Sequence, residues 1–196
     1  MFQKTKIAIA SAILATSSLA HAEGLPGMRG TDHVGITVPD LKQAVDFFVN
    51  VIGCEAFYKL GPFKADNDWM EMHLNVNPRA EIPTMQLVRG GSGTNYEVFQ
   101  WSSPDQKTTP PRNSDAGGHH IAFFVDDMDK AVAHLKKHNV KMFGDPTVMG
   151  QGPSAGESWM YFLSPWGAQM ELVTYKAKAY EKDFKGKLWN AVTPAQ

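Results

Sequence analysis

Four side chains in this sequence have the type and placement to hold a metal ion: His33, Glu97, His120 and Glu171. Each histidine opens an alternating segment, and each glutamate lies in a segment near the end of the same half of the chain. Two imidazoles and two carboxylates suit zinc, nickel, manganese, ferrous iron or cobalt, with positions left open for water and a small-molecule substrate. A lone histidine at a strand start is usually a surface or hydrogen-bonded residue. The set therefore gains its meaning from the elements that carry it.

Those elements repeat. His33-Val-Gly-Ile-Thr-Val-Pro-Asp-Leu-Lys-Gln-Ala-Val aligns with His120-Ile-Ala-Phe-Phe-Val-Asp-Asp-Met-Asp-Lys-Ala-Val at one constant offset, from residue 33 to residue 120. Apolar positions coincide, and so do His, Asp40 with Asp127, and Ala44-Val45 with Ala131-Val132. A duplicated unit explains why there are two residues of each ligand type.

Each copy starts with a half-buried strand: Val34, Ile36 and Val38 share one face, and Ile121, Phe123 and Val125 do so in the second copy. Asp40 caps a helix whose apolar stripe is Leu41, Ala44, Val45, Phe48 and Val51, ended by Gly53. Asp127 starts its counterpart, with Met128, Ala131, Val132 and Leu135 inward and Asn139 as a left-handed stop. Further strands are expected over 56–60, 69–76, 84–88 and 96–101, then over 141–143, 159–163 and 169–175. The first half thus carries an extra hairpin, which accounts for Glu97 lying farther from His33 than Glu171 does from His120. By strand parity all four ligand candidates point away from the helices, toward one concave face. The expected architecture is α+β: two βαβββ modules, 30–104 and 118–175, forming a curved mixed sheet around a metal cavity. The segment 105–117, rich in Pro, Thr, Ser and Asn, links them, and 176–196 is a polar tail whose Leu188 and Trp189 are expected to dock.

Other groups in the chain have ligand or substrate chemistry but lack this pattern. Glu71 and His73 share a face if 69–76 is a strand, but the second half has no counterpart. His119 faces away from His120 and reads as a structural partner. His134 and His138, an i, i+4 pair beside Lys136 and Lys137, read as a solvated helix face. Arg79, Arg89 and Arg112 are available to an anionic substrate but read as surface charges. Phe63, Trp69, Phe99, Trp101, Phe124 and Trp159 are the aromatic residues expected to line a substrate pocket, and Gly150 to Gly156 has the composition of a closing loop or a long turn.

Lys4 and Lys6, the apolar run from Ile7 to Ala15 and Ala20-His21-Ala22 read as a signal peptide over 1–22, too short to span a bilayer. The expectation is an exported, periplasmic protein starting near Glu23, with no membrane partner after cleavage. A formal charge of −1 argues against a nucleic-acid or membrane-surface partner. Cys54 is the only cysteine, so an intramolecular disulfide is impossible.

The stretches Asp32-His-Val-Gly-Ile, Gly118-His-His-Ile-Ala-Phe-Phe-Val-Asp-Asp and Ser164-Pro-Trp-Gly-Ala-Gln-Met-Glu-Leu-Val resemble the vicinal oxygen chelate superfamily, over about residues 30–175. That superfamily includes glyoxalase I, bleomycin and fosfomycin resistance proteins, methylmalonyl-CoA epimerase and extradiol dioxygenases. The resemblance implies a glyoxalase-like fold and matches His33, His120 and Glu171 to metal-ligand positions, with Glu97 as the extra carboxylate of the glyoxalase type. It further implies lyase or isomerase proton-transfer chemistry on a small vicinally oxygenated substrate, with Glu171 as base and Glu97 as its alternate. Two other readings are a ferrous dioxygenase acting on a catechol-like compound and a non-catalytic binder of a toxic small molecule. Members of this superfamily build their sites within one chain or across a homodimer, and either arrangement is open here.

Overall fold

The computed structural model describes residues 25–183. The signal segment 1–22 and the docking residues Leu188 and Trp189 lie outside the described residues. Residues 31–183 form one compact unit built from two copies of a βαβββ motif.

The first copy contains β1 (His33–Val38), α1 (Leu41–Phe47), β2 (Glu55–Leu60), α2 (Trp69–Leu74), β3 (Glu81–Arg89) and β4 (Asn95–Ser102). Its sheet has the order β1-β4-β3-β2, with β1 and β4 parallel and the other neighbours antiparallel. The second copy contains β5 (Ile121–Phe124), α3 (Met128–Lys137), β6 (Thr147–Val148), β7 (Ser158–Leu163) and β8 (Gln169–Thr174), ordered β5-β8-β7-β6. The two four-stranded mixed sheets repeat one topology and do not close on each other.

Local chemistry sets the helices. Asp40 accepts a hydrogen bond from the Gln43 N–H and Asp127 from the Lys130 N–H, so both helices begin where the sequence places a cap. After α1 the chain winds through a wider π-type turn, Phe48–Ile52, and leaves it at Gly53, whose φ of 89° few other residues adopt without strain. Asn139 takes the left-handed conformation that ends the second helix region.

The apolar faces of both copies merge into one core. Ile36, Val38, Leu41, Ala44, Phe47 and Phe48 pack with Met128, Leu135, Met160, Phe162, Met170 and Leu172 in a single cluster. The Trp166 ring meets Phe47 edge-on at 5.8 Å and Phe48 at 5.7 Å. The modules thus stand back to back through their helix-bearing faces. Burying so many aromatic and aliphatic side chains, at about 1.5–3 kcal/mol each, is the main force holding them together.

Two sequence expectations fail here. The segment 69–76 is not a strand but the short helix α2, closed by Asn75 at φ 53°. The alternation of Trp69, Glu71 and His73 with Met70, Met72 and Leu74 imitates period 2, yet only Met70 is buried. No β-branched residue occurs in α2, and Asn67 accepts from the Trp69 N–H at its start. Six residues are too few for periodicity to separate the two states. The first half therefore carries an extra helix rather than an extra hairpin. Residues 141–143 likewise do not form a strand: Met142 makes one isolated bridge to Phe162, and the outer strand is Thr147–Val148. Gly144, at φ 65°, and Pro146, without an N–H, interrupt pairing between them.

The Gly150 to Gly156 segment joins β6 to β7 and is tied to the chain beyond β8. Ala179 donates its N–H to the Ala155 carbonyl and Tyr180 to that of Pro153. Lys178 pairs with Glu157 at 2.6 Å and lies over the Tyr175 ring. No described helix is long and apolar enough to cross a membrane.

Candidate metal centre

β1 presents His33 on the face opposite Ile36 and Val38, because side chains alternate along a strand. The parallel register sets Gly35 beside Glu97, so the glutamate rises across a side-chain-free position. His33 Nε2 and Glu97 Oε2 are 3.2 Å apart. On the other edge of the ring, His33 Nδ1 bonds Asp32 Oδ1 at 2.8 Å. The Asp32 hydrogen bond, with the charges of Glu97 and Asp32, holds the His33 pKa above the ordinary imidazole value.

The second copy builds the same pair. His120 stands immediately before β5, Ala122 lies beside Glu171 in the β5–β8 register, and His120 Nε2 is 3.0 Å from Glu171 Oε2. Glu171 is nearly buried, with 12% of its side chain exposed. Burial raises its pKa, and the neighbouring His120 opposes that rise. Tyr161 faces Glu171 across the β7–β8 ladder and meets the His120 ring edge-on at 5.1 Å. Burial and the nearby Glu171 charge raise the Tyr161 hydroxyl.

Both rings have a partner behind them. Asn113 lies with Nδ2 3.3 Å from His120 Nδ1, while its buried Oδ1 has no hydrogen-bond partner. Exchanging the two ends of this amide, which are nearly the same shape, lets Oδ1 accept from the His120 Nδ1–H. Nε2 then keeps its lone pair on the Glu171 side, as Asp32 arranges for His33. A ring whose Nδ1–H is held by an acceptor and whose Nε2 faces a carboxylate is the donor arrangement that divalent metals use. The residues present fit such an ion.

Four of the residues expected at a pocket, Phe99, Trp101, Phe124 and Trp159, lie on the strand faces that carry these pairs. Phe99 and Trp101 continue the Glu97 face of β4, their rings 5.9 Å apart. Trp159 lies on the Glu171 side of β7, 5.4 Å from Tyr161, and Phe124 packs against Tyr175. Phe63 packs at 5.3 Å against Trp69, the first residue of α2. His119 bonds the Gly117 carbonyl, and His134 bonds the Val51 carbonyl across the module junction at 2.9 Å. Glu71 and His73 do not share a strand face, because α2 is a helix; the His73 ring packs on Trp69 instead.

The four ligand candidates come together two by two. Among the described residues no three His, Cys, Asp or Glu side chains converge as a metal-holding group. Each pair lies on the face of its sheet opposite the shared core. Sequence reasoning did not single out Tyr161 or Asn113. Tyr161 has a readable signal, since it shares the alternating phase of Trp159 on β7; Asn113, in a linker, has none.

Comparison with known proteins agrees with this fold. Residues 32–159 match the sequence profile described as Glyoxalase/Bleomycin resistance protein/Dioxygenase superfamily. A protein named 2-epi-5-epi-valiolone epimerase from Actinomyces sp is 45% identical over 157 residues, covering 80% of this chain and 85% of that one. The mitochondrial methylmalonyl-CoA epimerase of Mus musculus is 25% identical over 121 residues, 61% of this chain and 58% of that one. Among solved structures, a glyoxalase family protein from Bacillus cereus shares the fold with a TM-score of 0.60 at 18% identity, covering 79% of this chain and all of that one (100%). The duplicated βαβββ topology, the outward histidine–glutamate pairs and these matches establish that the chain belongs to the glyoxalase/bleomycin resistance protein/dioxygenase superfamily.

Proposed function

We propose that this protein is a metal-dependent isomerase of epimerase type, moving a proton on a carbon next to a carbonyl in a small, vicinally oxygenated substrate. The observation that carries the reading is the repeated pair, His33 with Glu97 and His120 with Glu171, each with the ring Nε2 toward a carboxylate. The 45% identity to a protein named as an epimerase supports the same reaction class.

The back-to-back modules bear on how the set is completed. The two pairs face away from the shared core, so a second copy of the chain, presenting its second module to the first module of this one, would assemble His33, Glu97, His120 and Glu171 at one point. The reading is thus a homodimer with two equivalent sites. A bound divalent zinc, nickel, cobalt, manganese or iron ion would polarise the substrate's neighbouring oxygens and stabilise the negative charge that proton removal creates.

The protein's own groups do the rest. Asp32 and Asn113 fix the imidazole orientations. Epimerisation needs a proton removed from one face of a carbon and returned to the other, and two carboxylates contributed by different modules suit that task. Glu171 acts as the base at Oε2, since burial raises its basicity. Glu97, on the opposing half of the site, returns the proton. Phe99, Trp101, Phe124 and Trp159 exclude water from the reacting carbon.

The reading includes export, with residues 1–22 as a signal segment; cell fractionation that finds the protein only in the cytoplasm would remove that part. The central test uses the purified protein with 2-epi-5-epi-valiolone in deuterium oxide. Epimerisation with solvent deuterium at the inverted carbon is expected, together with stoichiometric bound metal. Neither deuterium exchange nor inversion in metal-loaded protein would overturn the reaction for this substrate, and oxygen consumption with a catechol would favour dioxygenase chemistry instead.

A further inference from the structure

The helix that replaced the expected hairpin walls a hollow of about 550 Å³ on the first module. Thr37 of β1 and Trp101 of β4 line it together with Glu71, Asn75, Asn77 and Asp105. Thr37 and Trp101 lie on the strand faces that carry His33 and Glu97. Thr37 stands two residues along β1 from Gly35, the register partner of Glu97, a distance of about 7 Å. One six-membered ring with its substituents has about that span.

The lining chemistry is selective. Trp101 supplies a flat apolar surface, and around it are carboxylates, side-chain amides and hydroxyls. A hydroxylated ring has matching surfaces: its C–H groups make an apolar face and its hydroxyls a polar equator that donates to carboxylates and amide oxygens. The polar wall is held in place. Asn77 accepts from the Arg79 N–H at 2.9 Å, and Ser103 donates to the Asp105 carboxylate. The hydrogen bond from Ser103, with a second from Asn77, holds the Asp105 carboxyl below the usual carboxylate range. The hollow has two carboxylates, Glu71 and Asp105, and no Lys or Arg in its lining. A phosphorylated or acyl-CoA substrate would bring negative charge against them, whereas a neutral ring would not. The second module has no counterpart of α2, so this polar wall exists on one side of the proposed site only.

We infer that the hollow between α2 and the β1–β4 face is the specificity subsite for a neutral, polyhydroxylated ring, with Trp101 as its platform and Glu71, Asn75, Asn77 and Asp105 as its hydroxyl-recognising wall. This rests on the epimerase reading for its link to turnover, but binding tests it independently.

The isotopically labelled full-length protein is titrated with myo-inositol and with myo-inositol 1-phosphate, and the indole and side-chain amide resonances are followed. The neutral ring should shift the Trp101 indole N–H and the Asn75 and Asn77 amides, with the phosphate about tenfold weaker or more. Glu71→Lys, on an exposed helix surface, should reverse that preference, and Trp101→Ala should weaken myo-inositol binding about tenfold. Glu71→Gln, with an unchanged circular dichroism spectrum, guards against misfolding and should weaken the neutral ring alone. Preference of the native protein for the phosphate, or shifts that leave these three resonances unmoved, overturns the inference. Binding at this wall without turnover of 2-epi-5-epi-valiolone would leave the subsite standing and remove the epimerase reading. Turnover with an unaltered KM in Glu71→Lys and Trp101→Ala would do the reverse.

Discussion

Asp32 Oδ1 lies 2.8 Å from His33 Nδ1, on the opposite side of the ring from Glu97. An imidazole held this way keeps its proton on Nδ1 and offers Nε2 as a ligand. Asp32→Ala removes the acceptor and leaves the ring free to rotate and to change tautomer. Metal affinity should fall about 10–100-fold, measured by competition with a chromophoric chelator. Unchanged affinity would mean that Asp32 does not orient this ligand.

Subunit mixing tests whether the pairs complete one another across two chains. His33→Ala and His120→Ala should each be inactive alone. In a site drawn from two copies, a mixed dimer has one fully native site and one doubly defective site. Refolding an equimolar mixture should therefore recover about a quarter of native activity. No recovery, with mixed dimers shown to form, would place each site within a single chain.

Lys178 and Glu157, 2.6 Å apart and both largely covered, clamp the chain beyond β8 to the β6–β7 loop. Burial works against the Lys178 charge, but the hydrogen bond and charge of Glu157 outweigh it and raise the lysine pKa. A raised folded-state pKa gives stability that is complete below the unfolded value near 10.5 and lost as pH rises through the folded value. Urea denaturation between pH 8 and 11.5 should show a steeper alkaline loss in the native protein than in Lys178→Gln. Parallel curves would show that the pair adds nothing.

Cys54 is 4% exposed, and burial pushes its thiol up to about 11. The reactive thiolate is therefore scarce at pH 8. Iodoacetamide should label the native protein slowly and the denatured protein rapidly, as read by intact mass. Rapid native labelling would place Cys54 at an open surface.

Phe162 is fully buried on β7, within the core shared by both modules. Phe162→Ala should cost about 3–5 kcal/mol, seen as a lower urea midpoint. The loss should occur in a single transition, because one core serves both halves; two separate transitions would show that the modules unfold independently.

Much of this molecule was legible in the chain itself. The spacing of apolar residues, the caps Asp40 and Asp127 and the stops Gly53 and Asn139 are local signals, and they set α1 with the π-type turn that follows it, α3, and the first strand of each copy. Parity put His33 with Glu97 and His120 with Glu171 on the open faces, because side-chain direction in a strand is a counting rule. Three matters needed tertiary structure. The state of Trp69–Leu74 depended on one buried residue, Met70, since six residues contain too little of either period to choose between them. Asn113 reaches His120 only because the linker folds back, turning at Gly118, where the Arg112 carbonyl occupies the space a side chain would need. The packing of the modules back to back decided that the four ligand candidates meet as two pairs within one chain. A local pattern says which way a residue points along its own strand; where two sheets stand depends on the core they bury together, which no segment contains alone.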